Sequence, residues 1–195
     1  MSLRGTFTAV RLSRLAQAAA AGDATAFRKL YRAMHPLVWS YVSRRIHTEA
    51  DVEDLVARVF ERVVEHLPRF DPRRGHVRAW VLSIARNAVI DHYRVHKAAG
   101  DADAVERLAD AALDPAKALE DDERDAELRV MLAGYSPEVR EMFSLRFAEG
   151  LRLREIAELM ELSEAAVKQR FSRTLRDLRA KLRDSSNDKA AGYAI

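Results

Sequence analysis

Cysteine is absent from the 195 residues of this chain. Disulfides, cysteine-ligated zinc or iron–sulfur centres, thiol catalysis and a redox switch within the chain are therefore excluded. Seven glycines and five prolines are too few for a loop-rich all-β protein. No apolar run approaches the roughly 18–20 residues of a membrane-spanning helix, and Arg11 and Arg14 interrupt the stretch that most resembles a signal peptide. We expect a cytoplasmic protein with no membrane contact of its own.

Charged residues are abundant but unevenly distributed along the chain. They make up 32% of it, beside 48% hydrophobic residues, a balance typical of soluble helical proteins. The net charge is only +3, yet residues 97–127 contain eleven acids and four bases. The surplus of positive charge therefore lies on both sides of this acidic segment. Two basic units joined by an acidic spacer favour nucleic acid as a partner.

The first basic unit is the segment Arg73–Lys97. It contains six Arg and Lys residues against a single acid, Asp91. Its apolar residues recur at three- and four-residue spacing, which predicts one buried helical stripe made of Val77, Trp80, Val81, Ile84, Ala85, Ala88 and Val89. Such a helix can pack on a core and present its other side to phosphates. From charge alone, a solvated amphipathic helix is the alternative.

The residues before this segment predict a helical bundle. Residues 1–11 lack periodicity and are expected to be disordered. Caps and apolar periodicity predict three helices, namely Leu12–Gly22, a helix after Asp23 with a kink or break near His35, just before Pro36, and Asp51–His66. With the basic helix they form a compact all-α domain over residues 12–97.

The second basic unit has the pattern of a helix-turn-helix. Ser136-Pro137 begins a helix that Gly150 ends, and a short helix follows over Leu153–Met160. Ser163 then caps a helix that runs to about Arg183 and carries seven bases against two acids. Five apolar residues are predicted to face the core: Val167, Phe171, Leu175, Leu178 and Leu182. The residues predicted to point outward are Lys168, Gln169, Ser172 and Arg173.

The predicted fold is therefore all-α, with two small helical domains joined by an acidic flexible linker. The linker spans residues 98–127 and the second domain spans residues 128–183. Asp114-Pro115 can begin a helix that runs toward Met131. The tail, residues 184–195, is expected to be unstructured.

Both domains resemble a known family. The segment EDLVARVFERVVEHLPRFDPRRGHVRAWVLSIARNAVIDHYR resembles region 2 of bacterial sigma factors of the extracytoplasmic-function (ECF, group IV) type. The segment YSPEVREMFSLRFAEGLRLREIAELMELSEAAVKQRFSRTLRDLRAKL resembles region 4 of the same family. The two segments occur in the family's order, with the acidic linker between them.

The resemblance implies a sigma factor that binds core RNA polymerase and directs promoter recognition and melting. The implied partners are the clamp and flap regions of the polymerase, promoter DNA as a duplex at −35 and as a single strand at −10, and an anti-sigma factor. No cofactor is implied. The acidic linker resembles the connector that threads toward the polymerase active site, and a merely solvated linker is the alternative.

The resemblance also places functional residues in the first domain. Those expected at the clamp of core polymerase are Asp51, Asp54, Leu55, Val56, Arg58 and Phe60; the family usually has Gln-Glu where Ala57-Arg58 stand. The loop from Phe70 to Val77 resembles the element that reads a flipped base of the −10 region. The residues expected at the −10 strand are Phe70, Arg73, Arg74, His76, Arg78, Arg86, Asn87 and Arg94.

In the second domain, the resemblance assigns the −35 element to the long helix. The residues expected there are Lys168, Gln169, Arg170, Ser172, Arg173 and Arg176. Gln169 stands where the family commonly has Ser, and Gln can pair bidentately with adenine. Glu161 stands where the helix-turn-helix turn usually has Gly, so Glu161 would have to adopt the turn conformation that Gly supplies.

Catalytic chemistry is not indicated, because the sequence contains no phosphate-binding glycine loop, nucleophile elbow or paired-carboxylate pattern. His92 and His96 have the spacing of a helical metal pair but no evident third ligand, so no metal site is expected. Two other functions fit the helices. One is a stand-alone helix-turn-helix regulator with an N-terminal sensor domain, and the other is a helical adaptor that binds only protein.

Overall fold

A computed structural model describes residues 3–46, 48–73, 75–98 and 130–192. Over these ranges the chain forms α-helices, one short 3-10 helix and the segments that connect them, and no strand is present there. The predicted all-α class is thereby confirmed. The acidic linker, including the helix expected to begin at Asp114-Pro115, lies almost wholly outside the described residues.

The first domain consists of α1 (Leu3–Ala20), α2 (Ala24–Ser43), α3 (Glu49–His66) and α4 (Val77–Ala98), which pack against one another. The expectation of disorder before Leu12 is wrong for residues 3–11, which belong to α1. Leu12 and Ala16 are buried in the core. Because these two side chains fix the second half of the helix, the preceding residues can continue it without periodicity of their own.

The junction between α1 and α2 follows from local chemistry. Gly22 has a φ of +94°, the left-handed conformation that glycine adopts at little cost, and the N–H of Asp23 donates to the carbonyl of Ala18 at 3.0 Å. The Asp23 carboxylate then accepts hydrogen bonds from the N–H groups of Thr25 and Ala26, which begins α2 as predicted. α2 runs through Pro36 as one helix, so the break considered near that residue does not occur.

The predicted stripe of α4 is buried. Val77, Val81 and Ala85 lie in the core, as do Ile84, Ala88 and Val89. Trp80 is half-buried and packs against Phe70 in the preceding loop, with 4.7 Å between the ring centroids. Trp80 therefore belongs to the packing of the domain, as expected from its place on the stripe.

The second domain contains α5 (Pro137–Phe147), α6 (Leu153–Leu159) and α7 (Glu164–Gly192). The predicted starts of all three helices are confirmed. The predicted end of α7 near Arg183 is wrong, because the helix continues to Gly192; no proline or glycine interrupts the residues before it. Leu182 was predicted to face the core. This prediction is wrong, because Leu182 is 45% exposed. Leu178 is the last buried apolar residue of α7 among those whose side chains are described.

The turn between α6 and α7 has the conformation expected for it. Glu161 has a φ of 56°, in the left-handed region where glycine is the usual residue. The N–H of Leu162 donates to the carbonyl of Ala157 at 2.9 Å, and the N–H of Glu161 donates to that of Glu158. This is a Schellman motif with Glu in the place of Gly.

The two domains share one continuous cluster of buried side chains. α6 of the second domain packs directly on α4 of the first. The sequence predicted two domains joined by a linker, and their direct contact is a new feature of the tertiary structure.

Candidate nucleic-acid interface

The exposed side of α7 presents a row of polar and basic residues. Val167, Phe171 and Leu178 are buried on the opposite side, where the ring of Phe171 stacks on that of Phe143 with centroids 4.6 Å apart. We call the exposed row the recognition face; it consists of Lys168, Gln169, Ser172, Arg173 and Arg176. Its position on the second helix of a helix-turn-helix suits entry into a major groove.

Two ion pairs and a helix cap lie at the edges of the recognition face. Lys168 contacts Glu164 one turn earlier at 2.7 Å, and this contact lowers the pKa of Glu164. Arg170 is half-buried and contacts Glu138 of α5 at 3.3 Å, so it differs from its exposed neighbours. The Ser163 hydroxyl accepts a hydrogen bond from the N–H of Ala166 at 3.1 Å, confirming the predicted cap.

The loop before α4 has a different environment. Phe70 is half-buried against Trp80, while Arg73 is exposed and its N–H donates to the Asp71 carboxylate at 2.9 Å. Arg74 lies outside the described residues. On α4 itself, Asn87 is exposed and Arg86 is half-buried. Arg94 is exposed and lies 3.7 Å from Asp91.

His76, the residue before α4, and Arg78, in the first turn of α4, contact the second domain. The N–H of His76 donates to one carboxylate oxygen of Glu158 at 2.9 Å, and its Nδ1 lies 2.6 Å from the other. Arg78 donates to the carbonyl oxygens of Glu149 and Gly150 at 2.6 and 3.2 Å. Arg78 also lies 3.9 Å from the buried carboxylate of Glu155. Glu155, Glu158 and the carbonyls all belong to α6 or to the segment before it.

A buried polar cluster joins the domains beside this contact. We call it the interdomain latch; it consists of Tyr41 and Arg45 of the first domain and Glu141, Ser144 and Glu149 of the second. Arg45 is 1% exposed, and its guanidinium contacts Glu141 at 2.6 Å and Glu149 at 3.6 Å. The same guanidinium donates to the Tyr41 carbonyl at 2.8 Å and lies over the Tyr41 ring. The Tyr41 hydroxyl donates to Glu141 at 2.9 Å.

The charges of the interdomain latch are not fully balanced. One buried guanidinium faces two carboxylates, and neither oxygen of Glu149 receives a hydrogen bond within the described part of the chain. Burial therefore raises the pKa of Glu149 to about 7, against the attraction of Arg45. Burial opposes the charge of Arg45, but Glu141, Tyr41 and Glu149 outweigh it and raise the pKa of Arg45.

Comparison with known proteins identifies both domains. The chain matches the family Sigma-70 region 2 over residues 30–99 and the family Sigma-70, region 4 over residues 125–178. It is 31% identical over 184 residues to the ECF RNA polymerase sigma factor BldN of Streptomyces coelicolor, a match that covers 90% of this chain and 67% of BldN. The chain belongs to the extracytoplasmic-function sigma factor family.

Other relatives agree with this assignment. The ECF RNA polymerase sigma factor SigL of Mycobacterium tuberculosis is 28% identical over 170 residues, covering 85% of this chain and 94% of SigL. Among solved structures, that of CnrH in complex with the cytosolic domain of CnrY matches with a TM-score of 0.60 and 28% identity. This match covers 89% of this chain and 98% of the matched one. The protein is thus an RNA polymerase sigma factor, a transcription initiation factor that recognises promoters. None of its described helices is long and apolar enough to cross a bilayer.

The residues expected at the polymerase clamp differ in their exposure in this sigma factor. Leu55, Val56 and Phe60 are buried in the core of the first domain, so in this conformation they hold α3 in place and offer no surface to a partner. Asp54 and Arg58 are exposed on the opposite side of α3. Asp51, at the start of the helix, is half-buried. The surface that α3 presents around Asp54 and Arg58 is therefore largely polar, although Ala57 is also exposed there and Val64 is 52% exposed farther along the helix.

The interdomain latch was not found by sequence reasoning. Arg45 stands between Arg44 and Ile46 with no periodicity that marks it as buried, and its partner Glu141 is 96 residues away along the chain. Glu149 precedes the glycine that ends the α5 segment and has the appearance of a solvated turn residue. The one available signal was indirect, since Tyr41 lies on the apolar stripe of α2 and its hydroxyl needs a partner when buried.

Proposed function

We propose that this sigma factor reads the −35 element with the recognition face of α7. The observation that carries the proposal is the exposure of Lys168, Gln169 and Arg173 on a helix whose opposite side is buried. Basic side chains at the edges of the face would hold phosphates, and Gln169 in its centre would contact a base edge. Arg170 would first have to leave Glu138.

The −10 strand is assigned to the loop before α4 and to Asn87. Asn87 is exposed on the α4 surface, so its side-chain amide can hydrogen-bond a nucleotide without first moving out of the core. Arg73, Arg86 and Arg94 would hold phosphates on either side of it, and Arg74 retains this role as an expectation from the sequence. His76 and Arg78 belong to the same site but require the second domain to move away, because α6 and the segment before it contact them.

The proposal also includes two protein partners, core RNA polymerase and an anti-sigma factor. Asp54 and Arg58 on the polar surface of α3 would contact the clamp of core polymerase, with Asp51 beside them. CnrH, which this chain resembles, is known in complex with the cytosolic domain of CnrY, so we propose that an anti-sigma factor binds this protein as well. The chain would act in the cytoplasm, where transcription takes place, and would have no catalytic activity of its own.

The test is transcription by core RNA polymerase from a promoter library, with and without the purified chain. Lys168→Ala with Arg173→Ala should weaken promoter binding by the reconstituted holoenzyme about tenfold or more while leaving affinity for core polymerase intact. Arg179→Ala with Arg183→Ala is the matched control, because it removes two positive charges from exposed positions farther along α7. Equal losses for this control and for the variant of Lys168 and Arg173 would refute the assigned face.

A second arm of the experiment examines the −10 residue. Asn87→Ala should lower open-complex formation far more than core binding, with the exposed Val95→Ala on the same helix as its control. Equal losses of core binding and open complexes would contradict the role of Asn87. Specific duplex binding by the isolated chain, without any transcription when core polymerase is added, would instead support a stand-alone helix-turn-helix regulator.

A further inference from the structure

Gln169 lies at the centre of the recognition face. With 3.6 residues to a helical turn, it is about 200° round α7 from Val167, which is buried in the core. Arg176, two turns later, projects in nearly the same direction, whereas Lys168 and Arg173 lie to either side. A helix that enters a major groove with its packed side away from the DNA therefore carries Gln169 toward the base edges.

The basic residues on either side of Gln169 in the chain are held by acids. Lys168 contacts Glu164 at 2.7 Å, and Arg170 contacts Glu138 at 3.3 Å. Within the part of the chain that the structure describes, the exposed amide of Gln169 takes part in no hydrogen bond. It can therefore turn toward a ligand without breaking an existing contact.

The side-chain amide of Gln169 presents an acceptor oxygen and an NH2 donor side by side. The major-groove edge of adenine offers the complementary pair, the N7 acceptor beside the N6 amino donor. Guanine presents two acceptors there, cytosine presents a donor, and thymine presents one acceptor and a methyl group. Among the four bases, adenine is therefore the one with which Gln169 can form a bidentate contact.

Ala165 adds an apolar group one turn before Gln169. Both side chains are exposed, and residues four apart on a helix lie on the same face with their Cβ atoms about 6 Å apart. The Ser163 hydroxyl accepts a hydrogen bond from the N–H of Ala166, which fixes the helical turn that carries Ala165. The apolar group of the major groove is the C5 methyl of thymine, which stands opposite adenine in every A·T pair. A short run of A·T pairs therefore suits both residues.

We propose that Gln169 is the specificity-determining residue for an adenine in the −35 element, and that Ala165 contacts the methyl group of a thymine in the same or a neighbouring base pair. Lys168 and Arg173, on either side, hold phosphates. The inference rests on the proposed function of the recognition face, and it specifies which bases that face selects.

The test is promoter selection by holoenzyme reconstituted from core RNA polymerase and the full chain, with the −35 segment randomised. Gln169→Ala should reduce the preference for adenine at one position about tenfold and leave the preferences at other positions unchanged. Gln169→Glu should replace that adenine with cytosine, because a carboxylate accepts from the cytosine N4 amino group and has no donor for N7 of adenine. Gln17→Ala and Gln17→Glu are the matched controls, because Gln17 is exposed on α1 of the first domain.

Base analogues test the two contacts atom by atom. Replacing the selected adenine by 7-deazaadenine removes the N7 acceptor, so it should weaken binding of the wild-type holoenzyme about fivefold and leave that of Gln169→Ala unchanged. Replacing thymine by uracil removes only the methyl group, so it should weaken the wild type about fourfold and leave Ala165→Gly unchanged. Each result is a ratio between two DNAs for one protein, so a loss of stability in a variant does not imitate it.

Selection of a base other than adenine through Gln169 would overturn the proposal, and so would an adenine preference that survives in Gln169→Ala. Equal responses of the wild type and Ala165→Gly to uracil would overturn the contact assigned to Ala165. Failure of the proposed function gives a different result, because the wild-type holoenzyme would then show no preference at any position of the −35 segment.

Discussion

The two basic helices α4 and α7 are alike in sequence and unlike in the structure. Each has an apolar stripe on one side and a surplus of Arg and Lys around it. On α7 the recognition face is exposed over its first turns. At the start of α4, His76 and Arg78 are held by the second domain. Charge and periodicity therefore indicate the class of partner, whereas packing between domains decides whether the surface is available to it.

The acids beside the two helices also differ in their surroundings. Glu164 and Glu138 contact Lys168 and Arg170 at the surface, where water screens the pairs and a phosphate can replace the acid at little cost. Arg78 instead contacts backbone carbonyls and the buried Glu155. Its partners cannot leave one at a time by side-chain rotation, because two of them are backbone carbonyls and all three belong to the continuous segment 149–155. Release at α4 therefore requires movement of a domain, while release at α7 requires only side-chain rotation.

The largest effect on stability is expected from a substitution in the core beneath α7. Phe171→Ala removes a ring stacked on Phe143 in the core and should destabilise the protein by about 3–5 kcal/mol. Duplex −35 binding should be lost with it, because the recognition face depends on this packing. Urea unfolding measures the loss. Phe147→Ala, at a ring that is 55% exposed, is the control, and an equal cost for both variants would contradict the assigned core.

A smaller effect on stability is expected from the pH dependence of the buried carboxyl of Glu149, in the contact between the two domains. Burial raises the pKa of Glu149 to about 7, so the closed protein holds a proton there that the unfolded chain releases near pH 4.5. The closed state should therefore lose stability as pH rises from about 4.5 to 7, by at most about 1.4 kcal/mol per pH unit, and level off above that range. The groups that face Glu149 are Arg45, Glu141 and Arg44.

Glu149→Gln isolates this dependence, because glutamine resembles the protonated acid at every pH. Thermal unfolding of the variant and of the wild type between pH 4.5 and 8 should show a difference that grows through the window in favour of the variant. Glu65→Gln, at an exposed site, should show no such trend. A difference between Glu149→Gln and wild type that stays constant with pH would refute the burial of this carboxyl.

The smallest effect on stability is expected at the turn of the helix-turn-helix, between α6 and α7. Glu161→Gly should stabilise the second domain by about 0.5–1 kcal/mol, because glycine adopts a φ of 56° without the strain of a side chain. Differential scanning calorimetry measures the rise in Tm. Glu61→Gly on α3 is the control and should have the opposite sign, since glycine costs about 1 kcal/mol inside a helix. A loss of stability at both positions would contradict the turn conformation.

Much of the fold was predictable because local chemistry decides it. Asp23 and Ser163 cap their helices through side-chain hydrogen bonds, and the stripe around Val81 and Ala85 has a period that only a helix can bury. The errors arose where local signals were weak. The first half of α1 and the last turns of α7 lack marked periodicity, and nothing in their sequence stops a helix once neighbouring residues have begun it.

The recognition face was predictable for the same reason, because all of its residues lie on one helix and its exposure follows from the period. The contacts of His76 and Arg78 were not, because Glu158 and Glu149 are 82 and 71 residues away along the chain. No local pattern distinguishes an Arg that will meet DNA from one that will meet a carbonyl of the other domain. The burial of Leu55, Val56 and Phe60 was likewise readable from the stripe of α3.

The sequence by itself determined the helices, the two domains, the family and the helix that carries the recognition face. These features depend on residues close together in the chain and on the periodicity of a single helix. Only the tertiary structure decided that Arg45 is buried between two carboxylates and that the start of α4 is covered by α6. These features depend on residues about a hundred positions apart, whose meeting is set by how the two cores pack.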